Sequence, residues 1–113
     1  MEKLKAQIFF ADENVKVAFQ KLATSTKSED KKLYGWITTA LNNIEQDVFC
    51  GIAIPKKLIP KIYIDKYGIK NLWKYNLPEG YRLTYSIGRY ELTTIATVIE
   101  WMTHKEYERR FGY

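Results

Sequence analysis

Two short stretches of this chain carry the side chains best suited to hold an anion and to move a proton. The first is residues 72–87, LWKYNLPEGYRLTYSI, in which Lys74 and Arg82 alternate with aromatic and aliphatic residues. The second is His104-Lys105-Glu106-Tyr107, which contains the only histidine of the sequence. A guanidinium presents a planar fork that binds two oxygens of one anion at once, and an ammonium adds a mobile point charge. An imidazole gives or takes a proton near neutral pH without tuning. A phenol acts as a base only where neighbouring cations help it ionise. With one histidine and one cysteine the chain lacks the ligands of a metal site, so neither a metal nor a cofactor is expected.

Such residues need a scaffold, and the hydropathy pattern predicts one. Apolar and polar residues alternate through Leu72–Leu77 and again through Tyr81–Ile87, the period of a half-buried antiparallel strand. Pro78-Glu79-Gly80 between them is turn chemistry, because Pro fixes φ and Gly is free to take φ > 0. If Leu77 and Tyr81 close this hairpin, Arg82 falls opposite Asn76 and Thr84 opposite Lys74. Lys74, Asn76, Arg82 and Thr84 then form a polar, basic face, and Trp73, Tyr75, Leu83 and Tyr85 the other. Gly88-Arg89-Tyr90 reads as a second turn, Leu92 to Trp101 as a buried central strand, and residues 104–111 as one or two helical turns.

Upstream, residues 6–10 read as a first strand. Asp12 is placed to cap a helix whose stripe is Val15, Ala18, Phe19 and Leu22. Ser28 is placed to cap a second helix, with Leu33, Trp36, Ile37, Ala40, Leu41, Ile44 and Val48 on its apolar side. Residues 49–70 are punctuated by Gly and Pro and rich in lysine, yet too apolar for a free linker. They read as an ordered, packed-down loop with room for a helical turn after Pro60. The expected fold is α+β: an N-terminal strand and helical hairpin packed on a small antiparallel sheet, in the order β-α-α-β-β-β, with a short C-terminal helix, over one domain spanning 1–113.

A hydrophobic fraction of 46% and an aromatic fraction of 15% belong to a folded domain. No apolar run is long enough for a membrane span, and Met1–Lys5 lacks the apolar stretch of a leader peptide. The single cysteine, Cys50, forms no internal disulfide, which points to a reducing cytoplasm, and it reads as a small buried hydrophobe. The net charge is +5, and its placement is uneven. Residues 1–54 balance seven Lys/Arg against seven Asp/Glu, whereas residues 55–113 hold eleven against six. A basic half suits an anionic partner such as nucleic acid or an acidic protein, or serves solubility alone.

Gly-Tyr-Arg-Leu-Thr-Tyr, residues 80–85, resembles the arginine-bearing strand of the RelE/ParE superfamily of type II toxin–antitoxin toxins, with its G-[YW]-R-[LV]-x-Y pattern. His-Lys-Glu-Tyr, residues 104–107, is similar to that family's C-terminal ending. The resemblance implies a RelE-like or HigB-like mRNA interferase, a ribosome-dependent endoribonuclease that cuts mRNA without a metal and is neutralised by an acidic antitoxin. Carried over by position, Arg82 is the arginine at the scissile phosphate, and Lys105 and Tyr107 are the C-terminal basic and tyrosine residues. His104 stands where some branches carry a histidine. Lys74, Lys56, Lys57, Lys61 and Arg109 are the candidate RNA-binding cations. The lysine pair of RelE itself has no certain counterpart, and the 49–70 loop is longer than the family's.

That chemistry asks for a group to take the 2′-hydroxyl proton, cations for the charge on the phosphorane-like transition state, and an acid for the leaving 5′-oxygen. Tyr107 either serves as base or stacks on a nucleobase. The plainer readings are a solvated Arg82, a capping or surface His104, and a core Tyr107, with Trp36, Trp73 and Trp101 also in the core. At the level of the whole protein the alternatives are a non-cleaving member of the superfamily, either inactive or acting like ParE on a topoisomerase, and a basic RNA-binding accessory protein.

Overall fold

The computed structural model describes residues 3–112; Met1 and Glu2, the start of the stretch read for a leader, and Tyr113 lie outside them. The elements in chain order are β1 (Gln7–Phe10), α1 (Glu13–Thr24), α2 (Ser28–Gln46), β2 (Ile52–Ala53), α3 (Lys61–Tyr67), β3 (Trp73–Asn76), β4 (Arg82–Tyr90), β5 (Thr93–Met102) and α4 (His104–Phe111). Two 3-10 turns, Lys56–Leu58 and Pro78–Gly80, join them. The fold is α+β, with one five-stranded sheet in the order β1-β5-β4-β3-β2. No described helix is long and apolar enough to cross a membrane.

The sheet is mixed rather than antiparallel throughout. β1 runs parallel to β5, with Gln7 opposite Ile95 and Phe10 opposite Val98, while every other pair is antiparallel. The α1–α2 hairpin carries the chain from β1 across one face toward β2 at the opposite edge, and β1 lines the outer edge of β5. The β3–β4 register is the one that the alternation predicts, with Lys74 opposite Thr84 and Asn76 opposite Arg82. The Leu77 N–H donates to the Tyr81 carbonyl at 2.9 Å and closes the hairpin.

Each face of the sheet has its own core. On one face Ile37, Ala40 and Ile44 of α2 meet Leu83, Tyr85, Ala96 and Val98, with Val15, Phe19 and Leu22 of α1 packed beside them. On the other, Tyr63 of α3 and Tyr107 and Phe111 of α4 meet Leu72, Ile99 and Met102. A β-bulge lets β5 serve both: Thr84 pairs with Glu100 but Tyr85 pairs with Val98, so Ile99 is extra. Ile99 therefore turns toward α3 and α4 while Val98 stays in the first core.

Three local expectations change. The chain does not turn at Gly88-Arg89-Tyr90. β4 and β5 stay paired out to Tyr90 opposite Thr93, and Glu91 makes the tight turn with φ 54. Ser28 opens α2 but does not cap it; the flanking residue is Lys27, without a side-chain cap. The nearby Ser25 Oγ instead accepts from the Lys27 N–H and donates to Asp30. Cys50 is exposed, because it lies in the turn after α2 and off the helix's apolar stripe. Asp12 does cap α1, accepting from the Val15 N–H at 2.9 Å. The 49–70 segment does pack down, through Ile54, Ile59 and Tyr63.

The segment after α2 is anchored by one phenol. The fully buried Tyr85 hydroxyl donates to the Val48 carbonyl at 2.8 Å and accepts from the Gly51 N–H at 3.1 Å. Residue 51 must be glycine here, since a Cβ would stand 2.6 Å from that hydroxyl and 2.7 Å from the Lys74 carbonyl. Burial pushes the phenol above its ordinary range, so it stays protonated as this anchor requires. Tyr85→Phe leaves two backbone groups unsatisfied and is expected to cost about 1–3 kcal/mol. The check is a lower urea midpoint with an unchanged denaturant slope.

Candidate active site

β3 and β4 place Lys74 and Arg82 as diagonal neighbours on the sheet face that α4 covers. The turn before Arg82 is tight: Glu79 has φ 58 and Gly80 φ 82, both left-handed. The turn directs two carbonyls at the arginine, whose Nη1 donates to the Gly80 oxygen at 2.8 Å and the Tyr81 oxygen at 3.2 Å. The guanidinium is thus held back against its own turn. Its Nε is buried with no hydrogen-bond partner.

α4 begins with a capping box. The Thr103 Oγ1 accepts from the Glu106 N–H at 3.2 Å, and the Glu106 Oε1 accepts from the Thr103 N–H at 2.9 Å. The box starts the helix at His104 and so sets which residues face inward. Tyr107 and Phe111, one turn apart, are 3% and 9% exposed. Their rings stack at 4.3 Å between centroids, 22° from parallel. Both cations also lie over the Tyr107 ring. Lys74 Nζ lies 5.1 Å and Arg82 Cζ 5.6 Å from the ring centroid. Each such contact contributes on the order of 0.5–2 kcal/mol. Among the described residues neither cation has a carboxylate partner, so two positive charges converge on one ring without being neutralised.

His104 stands beside this group. A Cβ on Gly80 would lie 3.2 Å from the His104 Cβ, so the imidazole is rooted against the same turn that holds Arg82. Its Nε2 is 2.6 Å from Glu108 Oε1, one helical turn on. The neighbouring polar groups are mutually satisfied: Arg110 pairs with Glu100 at 2.6 Å and donates to the Tyr63 hydroxyl at 3.4 Å. The fully buried Thr84 hydroxyl donates to the Glu100 carbonyl at 3.2 Å.

The remaining sequence candidates lie elsewhere. At roughly 100° per residue, Lys105 and Arg109 fall on the side of α4 away from Tyr107, and both are exposed. Lys56 and Lys57 are exposed on their 3-10 turn. Lys61 is spent on Asp65 at 3.9 Å in open solvent. Tyr107 does not present its ring for base stacking, since Phe111 and the two cations cover it. Among the described residues no group of three or more His, Cys, Asp or Glu side chains is placed to hold a metal ion. Glu108 and Phe111 were not singled out from sequence, although each stands four residues after a residue that was, the spacing of helical neighbours.

The arrangement can hold an oxyanion over Lys74 and Arg82 with an imidazole alongside. No protein-family model, no curated protein and no solved structure matches the chain.

The site depends on α4, and the start of α4 depends on an ionised Glu106. The Thr103 N–H, and then the Thr103 side chain, hold that carboxyl below the ordinary glutamate range. A depressed folded value contributes stability that is present above the unfolded value and lost as pH falls through the folded one. Glu106→Gln keeps an acceptor for the Thr103 N–H but does not titrate. Its melting temperature is expected to fall less steeply than wild type below about pH 4, measured as a thermal unfolding series against pH.

Proposed function

We propose that this chain is a RelE-like toxin: a cytoplasmic, ribosome-dependent endoribonuclease that cleaves mRNA by attack of the 2′-hydroxyl and is held in check by an acidic antitoxin. The observation that carries the reading is the convergence of Lys74, Arg82 and Tyr107, with His104 adjoining. Arg82 comes from one of the two stretches that carry the family resemblance and His104 and Tyr107 from the other, and Lys74 joins them from the neighbouring strand. Lys74 and Arg82 hold the scissile phosphate and stabilise the charge that develops on its oxygens. His104 handles the proton. Tyr107 acts as the platform on which both cations rest rather than as a base-stacking ring. Lys105, Arg109, Lys56, Lys57 and Lys61 add to the field that draws in the RNA backbone.

One observation favours a second reading, a non-cleaving binder of the same superfamily: part of the Arg82 fork is already engaged by the Gly80 and Tyr81 carbonyls. Primer extension on mRNA from translating cells that express the protein separates the two. Cleavage is expected in wild type and is expected to drop on the order of a hundredfold in Arg82→Ala and in Lys74→Met, the loss typical of one transition-state donor. Growth arrest with intact mRNA, unchanged in both variants, would establish the binder instead.

A further inference from the structure

We infer that Glu108 is a positioning residue, which holds His104 as the Nε2–H tautomer and leaves Nδ1 as the atom that takes the 2′-hydroxyl proton. The inference rests on the nuclease reading and adds to it the acting nitrogen and the residue that selects it. Nε2 is 2.6 Å from the Glu108 carboxylate, a distance at which the carboxylate accepts the ring N–H. Nδ1 has no partner among the described residues, so its lone pair is open. The ring is rooted against Gly80, and the Gly80 carbonyl is bonded by the Arg82 Nη1. Proton acceptor and phosphate-holding cation therefore meet the same turn residue. A side chain at position 80 would push His104 away.

In the step this implies, the proton moves from O2′ to Nδ1 as O2′ attacks phosphorus. The bond from phosphorus to O5′ breaks and leaves a 2′,3′-cyclic phosphate. The 5′-oxygen departs with its electron pair and is protonated by solvent, and the imidazolium afterwards returns its proton to solvent. Glu108 acts twice: it selects the tautomer, and its charge offsets that of the imidazolium as it forms.

Because the chain has a single histidine, its ring nitrogens are read without ambiguity in long-range proton–nitrogen spectra of the full, labelled protein. With the ring neutral, wild type is expected to show the wide separation of the two nitrogen shifts that marks one tautomer, protonated at Nε2. Glu108→Gln retains an acceptor oxygen and is expected to keep that separation, whereas in Glu108→Ala it narrows toward the mixture of a free imidazole. In single-turnover cleavage of mRNA on ribosomes, Glu108→Ala is expected to be slower by about tenfold and Glu108→Gln by no more than about threefold, a part of what a placed acid or base contributes. Equal nitrogen separation in wild type and Glu108→Ala overturns the positioning role. Unchanged cleavage in Glu108→Ala overturns the assignment of Nδ1. Absence of cleavage by wild type removes the nuclease reading, and the spectra then decide separately whether Glu108 holds the ring.

Discussion

The seating of Tyr107 beneath Lys74 and Arg82 is the contact on which the rest of this structure turns. A sheet face carrying Lys, Asn, Arg and Thr is a poor surface for a helix to bury. α4 covers Lys74 and Arg82 in part anyway, leaving Asn76 exposed, because the two residues it turns inward are aromatic. The face of a phenol ring attracts cations through its quadrupole while still burying apolar area. The same contact keeps the two cations partly out of water and away from carboxylates. Charge is therefore retained where a buried salt bridge would have cancelled it.

Such a face is covered only if its other polar groups are satisfied. Thr84 spends its hydroxyl on the Glu100 carbonyl, Glu100 receives Arg110, and Arg110 reaches the Tyr63 hydroxyl. Tyr63 burial pushes that phenol far above its ordinary range, which keeps it neutral between α3 and α4. The bulge at Ile99 completes the arrangement. It turns an aliphatic side chain into the second core beside Glu100, whose side chain reaches α4. Two layers of helix thus share one sheet, the α1–α2 layer by aliphatic and aromatic packing and the α3–α4 layer by a contact that also takes in cations and polar groups.

The division extends to charge. The half of the sequence that builds the α1–α2 layer is electrically balanced, and the excess lies in residues 55–113, which contribute α3, the β3–β4 hairpin and α4. The excess therefore lies in the part of the chain that carries Lys74 and Arg82.

Much of the scaffold was legible in the residues themselves. Period-2 alternation set the β3–β4 register, because a slip of one residue would have turned Leu83 and Tyr85 out of the α1–α2 core and Arg82 into it. The helical stripes of α1 and α2 and the Asp12 cap are local signals, and they hold except at Ala18, which is exposed. What sequence could not reach is decided between elements far apart in the chain: the parallel seat of β1 beside β5, the bulge, and above all the side of α4 that turns inward. Lys105 and Tyr107 are two residues apart and look alike as candidates. Only the packing of a helix against a sheet puts one at the centre of the cluster and the other in water, because 3.6 residues per turn sets them on nearly opposite sides of the helix.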